Sequence, residues 1–441
     1  MIKAKFRPLS KPTARLLWPI LGMLMLGIWA CGGTATAVPA VPSTAVPAAT
    51  SAPVIATPAP DRATTASQPT LQPGTATPDA PDSGDTRSVP VLDRTKHTVP
   101  LMDLLFDTFG GDPRFLPLDL ATDDIIEQLR DVIAPINDPS YGSPSDLPWL
   151  DDDNLVIGYR SEGDAYAYPV NILDFHELVN DRIDGVPVLI TYCPLCFSGV
   201  VFSRVLDGDE LTFGNTSALY MSDLVMYDHQ SGSYWFQVGG EAVVGALSGS
   251  RLSLLPSTTI TWGEWRRLFP DSKVLTGIER SPAVFGDSRY GRGISAGFQE
   301  RINARDFVFP VDERKLDDRL LDGELVLTVE IGEAITVFPL GLIGDGVANH
   351  QVGGQPVAVF ALTGDRAAAA FSREVDSQTL TFEFRENDQQ FVDVETGSVW
   401  DALGRATSGP LAGTELEQLN TRRSFWFSVA IAFPGVEVFL P

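Results

Sequence analysis

Residues 186–204 read VPVLITYCPLCFSGVVFSR, and residues 355–373 read QPVAVFALTGDRAAAAFSR. Both stretches have Pro-Val near their start and Phe-Ser-Arg at their end, and the second lies 169 residues after the first. Three further pairs of blocks recur at nearly the same separation: Tyr168-Pro169 and Phe338-Pro339, Tyr227-Asp228 and Val392-Asp393, and Phe269-Pro270 and Phe433-Pro434. Ordered blocks at a nearly constant offset indicate an internal repeat. We therefore divide the folded part into a first copy, residues 135–275, and a second copy, residues 309–441.

Each copy contains short apolar runs rich in β-branched and aromatic residues, such as 186–192 and 199–205. Glycine-containing turns separate these runs, a pattern typical of β-strands. Short helices are predicted at 170–179 and 262–268, where apolar residues recur at helical spacing. We expect an α+β fold that is mainly β, built from two tandem copies of one β-rich unit with a few short helices.

The first 30 residues have the layout of a secretory signal peptide, with basic residues before an apolar run at 16–30. This run is too short to span a membrane. Cys31 follows Ile28-Trp29-Ala30 and occupies the position of the lipidated cysteine in a bacterial lipobox. We expect an exported protein that Cys31 anchors through a lipid to the outer face of the cell membrane. The alternative is a plain signal peptide or an uncleaved anchor with an incidental cysteine.

Between Cys31 and residue 96 the chain is composed mainly of Ala, Thr, Pro, Ser and Val, and its first aromatic residue after Trp29 is Phe106. Such a composition cannot bury enough apolar surface to offset the entropy of ordering. We interpret 31–96 as a disordered tether, 97–134 as a lead-in segment with one helix, and 276–308 as a connector between the copies.

The formal net charge of the chain is −25. An acidic surface repels nucleic acid and anionic lipid headgroups. We therefore expect no nucleic-acid partner, and we expect attachment to the membrane through the lipid alone.

Cys193 and Cys196 are the two cysteines that remain of three once Cys31 is assigned to the lipid. A static disulfide across this short loop would contribute only about 2 kcal/mol, so a redox pair or half of a metal site is more typical of the spacing. Thioredoxin-type activation requires a helix after the first cysteine, whereas a strand is predicted here. A tetrahedral metal site would require two further ligands.

His176 is the first candidate partner of the cysteines. On the predicted helix His176 and Asn180 share a face, as do Glu177 and Asp181. A copper or zinc site could use Cys193, Cys196 and His176, with His229 as a further ligand. The second copy loses both thiols and this histidine together, because the aligned residues are Leu362, Asp365 and Asp345. This loss favours one active copy and one structural copy, although unconstrained drift is the alternative.

Several blocks of the first copy resemble a known family of secreted or lipid-anchored proteins, domain of unknown function 3179. The residues that carry the resemblance are Tyr168-Pro169, His176-Glu177, Asn180-Asp181, Thr191 to Cys196, Tyr227-Asp228, Trp235, Gly240-Glu241, Trp262 and Trp265. The residues that we name as supporting the cysteines are Glu177, Asn180, Asp181, Tyr192 and Asp228. The resemblance supplies no established activity, but selenocysteine in the Cys-x-x-Cys region of some members favours redox chemistry.

Three hypotheses follow for this cell-envelope protein, and whether it is an enzyme stays open. The first is thiol–disulfide chemistry of Cys193 and Cys196 with a protein partner, in which His176 acts as base or thiolate stabiliser. The second is copper or zinc binding by the same three residues, so a metal ion is possible although no cofactor is assigned. The third is a non-catalytic binding or structural module with a static disulfide.

Overall fold

A computed structural model describes residues 88–277, 297–364 and 366–441 of the chain. The predicted signal peptide, Cys31, most of the predicted tether and connector, and Asp365 lie outside the described residues. Residues 88–96, at the end of the predicted tether, are packed: Leu92 is buried, and the Arg94 side chain donates to the backbone oxygens of Leu118 and Ala121. No helix in the described ranges is long and apolar enough to cross a membrane.

The fold is mainly β, as the sequence predicts. The lead-in segment and first copy contain β1 Leu104–Asp107, β2 Phe115–Pro117, α1 Asp123–Leu129, β3 Ser140–Gly142, β4 Leu155–Arg160, β5 Ala165–Pro169, α2 Val170–His176, β6 Leu178–Ile183, β7 Val186–Cys193, β8 Ser198–Ser203, β9 Val205–Leu206, β10 Asp209–Glu210, β11 Phe213–Tyr220, β12 Asp223–Asp228, β13 Tyr234–Phe236, β14 Glu241–Val244, β15 Ser257–Thr261, α3 Trp262–Leu268 and β16 Lys273–Gly277.

The remaining elements belong to the end of the connector and to the second copy. They are α4 Phe298–Asn303, β17 Leu325–Ile331, β18 Ala334–Pro339, α5 Leu340–Ile343, β19 Gly346–Val352, β20 Gln355–Leu362, β21 Ala367–Ser372, β22 Glu374–Val375, β23 Gln378–Thr379, β24 Phe382–Arg385, β25 Gln390–Asp393, β26 Val399–Trp400, β27 Ala406–Ser408, β28 Thr421–Phe425, α6 Trp426–Ala432 and β29 Glu437–Val438. Short 3-10 helices cover Leu101–Asp103, Pro144–Asp146 and Glu313–Lys315. From β4 to α3, and again from β17 to α6, the elements run in the same order.

The two copies exchange strands to build two large mixed sheets. One sheet has the order β19-β20-β21-β15-β4-β5-β16-β3, and the other has the order β29-β18-β17-β28-β8-β7-β6. Each sheet therefore joins three consecutive strands of one copy to strands of the other copy. The junctions are equivalent, because Thr259 of β15 pairs with Ala368 of β21 and Arg423 of β28 pairs with Gly199 of β8. The copies follow one another in sequence but are interleaved in space.

A smaller antiparallel sheet belongs to each copy separately. The first copy has β14-β13-β12-β11, which β1 and β2 of the lead-in segment extend to six strands, and the second has the four-stranded β24-β25-β26-β27. The hairpin of β11 and β12 is longer than its counterpart. Fourteen residues separate Phe213 from Asp228, whereas ten separate Phe382 from Asp393. This long hairpin packs beside the turn that carries the cysteines, within the largest hydrophobic core of the described residues.

The structure corrects one predicted helix and confirms another. The helix predicted at 170–179 ends at His176, because Glu177 adopts a left-handed backbone conformation with φ of 59°. Leu178–Ile183 then forms β6, which pairs with β7. His176 and Asn180 consequently do not share a helix face, and neither do Glu177 and Asp181. The helix predicted at 262–268 is α3, with the same bounds.

Candidate functional site

The two cysteines lie on either side of the tight connection between β7 and β8. Cys193 ends β7 and pairs with Ser198, the first residue of β8. Phe197 has a φ of 55°, and this left-handed residue closes the connection after Cys196. Both cysteines are free thiols, and their exposed fractions are 1% for Cys193 and 0% for Cys196. The connection therefore points both sulfurs into the protein interior.

Asp223 from the long hairpin reaches these thiols. The Cys196 thiol donates to Asp223 Oδ1 over 2.9 Å. One ligand atom from each of Cys193, Cys196 and Asp223 lies within 4.8 Å of the other two. We call these three residues the thiol cluster. Asp223 Oδ2 is buried and has no hydrogen-bond partner, which leaves one polar atom of the cluster unsatisfied.

The sequence analysis did not identify Asp223. The sequence feature that could have pointed to Asp223 is the extra length of the first-copy hairpin. Asp223 begins β12 directly after the turn of this hairpin, at Met221 and Ser222. Both turn residues have positive φ, of 53° and 65°. The additional residues carry this turn far enough to place a carboxylate beside Cys196.

Burial disfavours the ionised forms of the groups of the site. It raises the pKa of Asp223 to about 7 and the pKa of both thiols above the ordinary range, most strongly at Cys196. It also raises the pKa of Glu177 to about 8, although a hydrogen bond from Asn215 acts in the opposite direction. The charged neighbours that raise the pKa of Glu177 and of the two thiols include the acids Asp174, Asp223 and Glu177. The site is thus a buried cluster of acidic groups, whose ionised forms a cation would stabilise.

A chain of buried polar side chains also reaches Cys196. Ser198 Oγ lies 3.4 Å from Cys196 Sγ and 2.6 Å from Gln237 Oε1. Gln237 Nε2 donates to Thr191 Oγ1 over 2.7 Å. All three side chains are fully buried. We call Thr191, Gln237 and Ser198 the polar chain.

The second copy lacks both the thiol cluster and the polar chain. It has apolar residues at the aligned positions of the polar chain: Phe360 for Thr191, Ala367 for Ser198 and Ala402 for Gln237. Phe360 stacks on Phe391 with ring centroids 4.2 Å apart. The same scaffold is therefore stable with an apolar interior at this place. The buried polar groups of the first copy are not required by the fold, and we interpret them as functional.

The two histidines proposed from the sequence lie elsewhere. His176 is at the C-terminal end of α2, and its Nδ1 lies 2.8 Å from the backbone oxygen of Ala134. His229 stacks on the Tyr227 ring with centroids 5.2 Å apart, and burial lowers its pKa. Neither histidine belongs to the group of potential metal ligands that Cys193 and Cys196 form.

Glu177 is the supporting residue most closely linked to the thiol cluster. Its buried carboxyl group accepts a hydrogen bond from Asn215 Nδ2, and its backbone oxygen accepts from the Tyr192 amide over 2.8 Å. Its charge, when present, acts on Cys193 and opposes ionisation of that thiol. The aligned residue of the second copy is Gly346, so this acid also belongs to the first copy alone.

Other supporting residues stabilise the scaffold. Asn180 pairs with the backbone of Phe213 through both its amide nitrogen and oxygen, and Asn349 pairs in the same way with Phe382. Because the second copy has the same contacts without the thiols, this asparagine serves the fold in both copies.

Asp228 is a second scaffold residue. It accepts from Trp235 Nε1 over 2.9 Å, and Asp393 accepts from Trp400 Nε1 over the same distance. Each aspartate also binds the loop that precedes its tryptophan, through Ser231 or Thr396. The aspartate therefore fixes this loop in both copies.

Asp181 and Tyr192 also contact the scaffold. Tyr141 and Tyr168 both donate to Asp181 Oδ2, with a distance of 2.5 Å from Tyr168. The Tyr192 ring contacts Phe197 edge-on, with centroids 6.2 Å apart. Tyr192 therefore packs against the connection that carries Cys196, while Asp181 lies in a separate tyrosine cluster.

Residues 130–435 match the model of the family described as protein of unknown function (DUF3179). The chain belongs to this family. The match spans both copies, including the thiol cluster and the interleaved sheets. The chain matches no curated protein and no solved structure. Membership in DUF3179 therefore identifies the family without assigning a reaction.

Proposed function

We propose that this member of DUF3179 is an exported, lipid-anchored protein that binds a zinc ion at the thiol cluster. The observation that carries the proposal is the convergence of three ligand atoms within 4.8 Å in a fully buried place. Cysteine sulfur and carboxylate oxygen are both established ligands of zinc. The burial of the sulfurs favours a closed site that holds the ion over a catalytic site with an exposed water.

The charges of the site support a divalent cation. Burial raises the pKa of each of the three ligands, so their protonated forms are favoured in the absence of metal. Binding releases these protons, and the ion then compensates the negative charges that burial would otherwise penalise. The buried Asp223 Oδ2, which lacks a hydrogen-bond partner, adds negative charge potential that a cation at the cluster would compensate.

Zinc fits the donor set better than copper(I). Copper(I) prefers thiolate and thioether ligands, whereas a carboxylate beside two thiols suits a borderline divalent ion. The sequence-based version of this hypothesis used His176 as the third ligand. In the present proposal Asp223 takes that place.

The test is metal analysis of the full-length protein purified without oxygen. We expect about one zinc per chain, and its loss in Asp223→Asn and Cys196→Ser. Asp388→Asn is the matched control, because Asp388 is an exposed acid at the tip of the short hairpin of the second copy. Circular dichroism establishes that each variant is folded. Wild-type protein that is folded, reduced and unable to take up zinc would contradict the proposal.

Thiol–disulfide exchange is the second candidate, and the hydrogen bond between Cys196 and Asp223 favours it. A carboxylate 2.9 Å from the sulfur, with a pKa of about 7, can accept the thiol proton. Oxidation would join the two sulfurs, release two protons, and transfer two electrons to an acceptor disulfide that becomes two thiols. Against this candidate, both sulfurs are buried, so a folded protein partner could not reach them.

A redox titration in glutathione buffers distinguishes the two candidates. Zinc binding predicts two thiols that stay reduced and are protected from alkylation by bound zinc. Exchange predicts a reversible Cys193–Cys196 disulfide and no dependence on zinc.

A further inference from the structure

The hydrogen-bond directions in the polar chain can be assigned from its contacts. Thr191 Oγ1 donates its single proton to the backbone oxygen of Val200 over 2.8 Å. The same oxygen lies 2.7 Å from Gln237 Nε2, so it must accept a hydrogen bond from that amide.

The orientation of the Gln237 amide follows. Its Nε2 also lies 3.3 Å from the backbone oxygen of Ser198, which can only accept. The reverse orientation would place Gln237 Oε1 against that carbonyl oxygen, and two acceptors would then face each other. Gln237 Oε1 therefore faces Ser198 Oγ, at 2.6 Å.

This assignment fixes the role of Ser198. Because Gln237 Oε1 is an acceptor, the Ser198 hydroxyl must donate its only proton to it. The side of Ser198 Oγ that faces Cys196 Sγ, 3.4 Å away, carries lone pairs alone. The polar chain thus presents an oxygen acceptor to the thiol cluster, in a place where the second copy has Ala367.

We infer that Ser198 Oγ is the fourth donor atom of the metal site, which it completes as two sulfurs and two oxygens. The inference rests on the zinc binding proposed above. In a tetrahedral zinc site with bonds of about 2.3 Å to sulfur and 2.1 Å to oxygen, neighbouring sulfur and oxygen ligands are separated by about 3.6 Å. The separation of Ser198 Oγ and Cys196 Sγ, 3.4 Å, fits this edge. Thr191 and Gln237 are positioning residues that hold the oxygen in this orientation.

The experiment replaces zinc by cobalt(II) in the full-length protein, without oxygen and with reductant present. Charge-transfer absorbance from thiolate to cobalt reports the number of sulfur ligands. If Ser198 Oγ faces the metal, Ser198→Cys adds a third thiolate, and this absorbance should rise by about half relative to the wild type. The matched control is Ser398→Cys, a fully buried serine of the second copy, which should leave the absorbance unchanged.

Ser198→Ala provides an independent readout if the cysteine variant does not fold. It removes one donor, so the cobalt d–d bands should shift and zinc affinity should fall by about 10- to 100-fold. Unchanged bands and affinity in Ser198→Ala, or unchanged charge-transfer absorbance in a folded Ser198→Cys, would overturn the inference and leave zinc binding intact. A wild type that binds neither cobalt nor zinc would overturn both.

Discussion

The connection at 193–198 in the first copy and its counterpart at 362–367 in the second join equivalent strands. The first lies beside the buried carboxyl group of Asp223 and the polar chain, whereas Thr363 and Arg366 of the second contact the half-buried Asp345. At the position of Cys193 the second copy has Leu362, and Phe360 and Ala367 replace two members of the polar chain. The strands around both connections pair in the same register. Residues shared by both copies therefore serve the scaffold, and residues found in the first copy alone belong to the site. One chain contains both versions of the connection.

The largest predicted difference between the two connections is the effect of zinc on the free energy of unfolding. Zinc at about a thousandfold excess over its dissociation constant should raise the free energy of unfolding by about 4 kcal/mol, since it binds the folded state. Cys193→Leu, which installs the second-copy residue, should abolish this increase, whereas Leu362→Val should leave it intact. Urea unfolding with zinc and with a chelator measures both. An undiminished zinc effect in Cys193→Leu would contradict a ligand role for Cys193.

The pH dependence of the metal-free protein should be the next largest effect. Burial raises the pKa of Glu177 from 4.5 to about 8, so between these values the folded state holds a proton that the unfolded state has lost. The stability from Glu177 is thus full below about pH 4.5 and is lost as the pH rises through about 8, at a cost of about 4 kcal/mol between pH 5 and pH 9.

Glu177→Gln should remove this component, because glutamine keeps an acceptor for Asn215 and has no proton to lose. Urea unfolding between pH 5 and pH 9 compares the variant with the wild type. Glu374→Gln, at an exposed position of the second copy, is the control and should retain the wild-type slope. A slope in Glu177→Gln as steep as the wild type's would show that Glu177 is not held neutral.

The smallest predicted effect concerns the aspartate–tryptophan hydrogen bond that both copies contain. Asp228→Ala and Asp393→Ala should each lower the free energy of unfolding by about 2 kcal/mol, because each leaves a buried tryptophan N–H without its acceptor. The two losses should agree within about 0.5 kcal/mol and should add in the double variant. Denaturation in urea with a chelator present measures all three variants. A clearly larger loss at Asp228 would indicate a role for this residue beyond the scaffold.

Local patterns in the sequence predict the mainly β fold and single out Cys193 and Cys196. They fail at α2, where the apolar spacing continues past His176 although Glu177 turns the backbone into β6. They also fail to predict Asp223, since it joins the cysteines through a hairpin that is distant in sequence. The alignment of the copies shows that the first-copy hairpin is longer. The direction in which this hairpin points depends on how the sheets pack.

The exchange of strands between copies could not be predicted from these patterns either. An apolar strand such as β8 has the same alternation and composition whether its neighbour belongs to its own copy or to the other one. The pairing of β8 with β28, and of β15 with β21, is decided by packing of the whole chain. A repeat in sequence therefore does not define two separable bodies.

The contact of β28 with the Cys196 turn has a consequence for how the protein matures. The backbone oxygen of Cys196 accepts from the Phe425 amide over 2.9 Å and from Ser424 Oγ over 3.1 Å. A chain synthesised only as far as residue 420 lacks both donors and the neighbouring strand. In such an intermediate β28 does not yet cover the Cys196 turn, so the metal binding proposed above requires residues 421–425 of β28 to be in place.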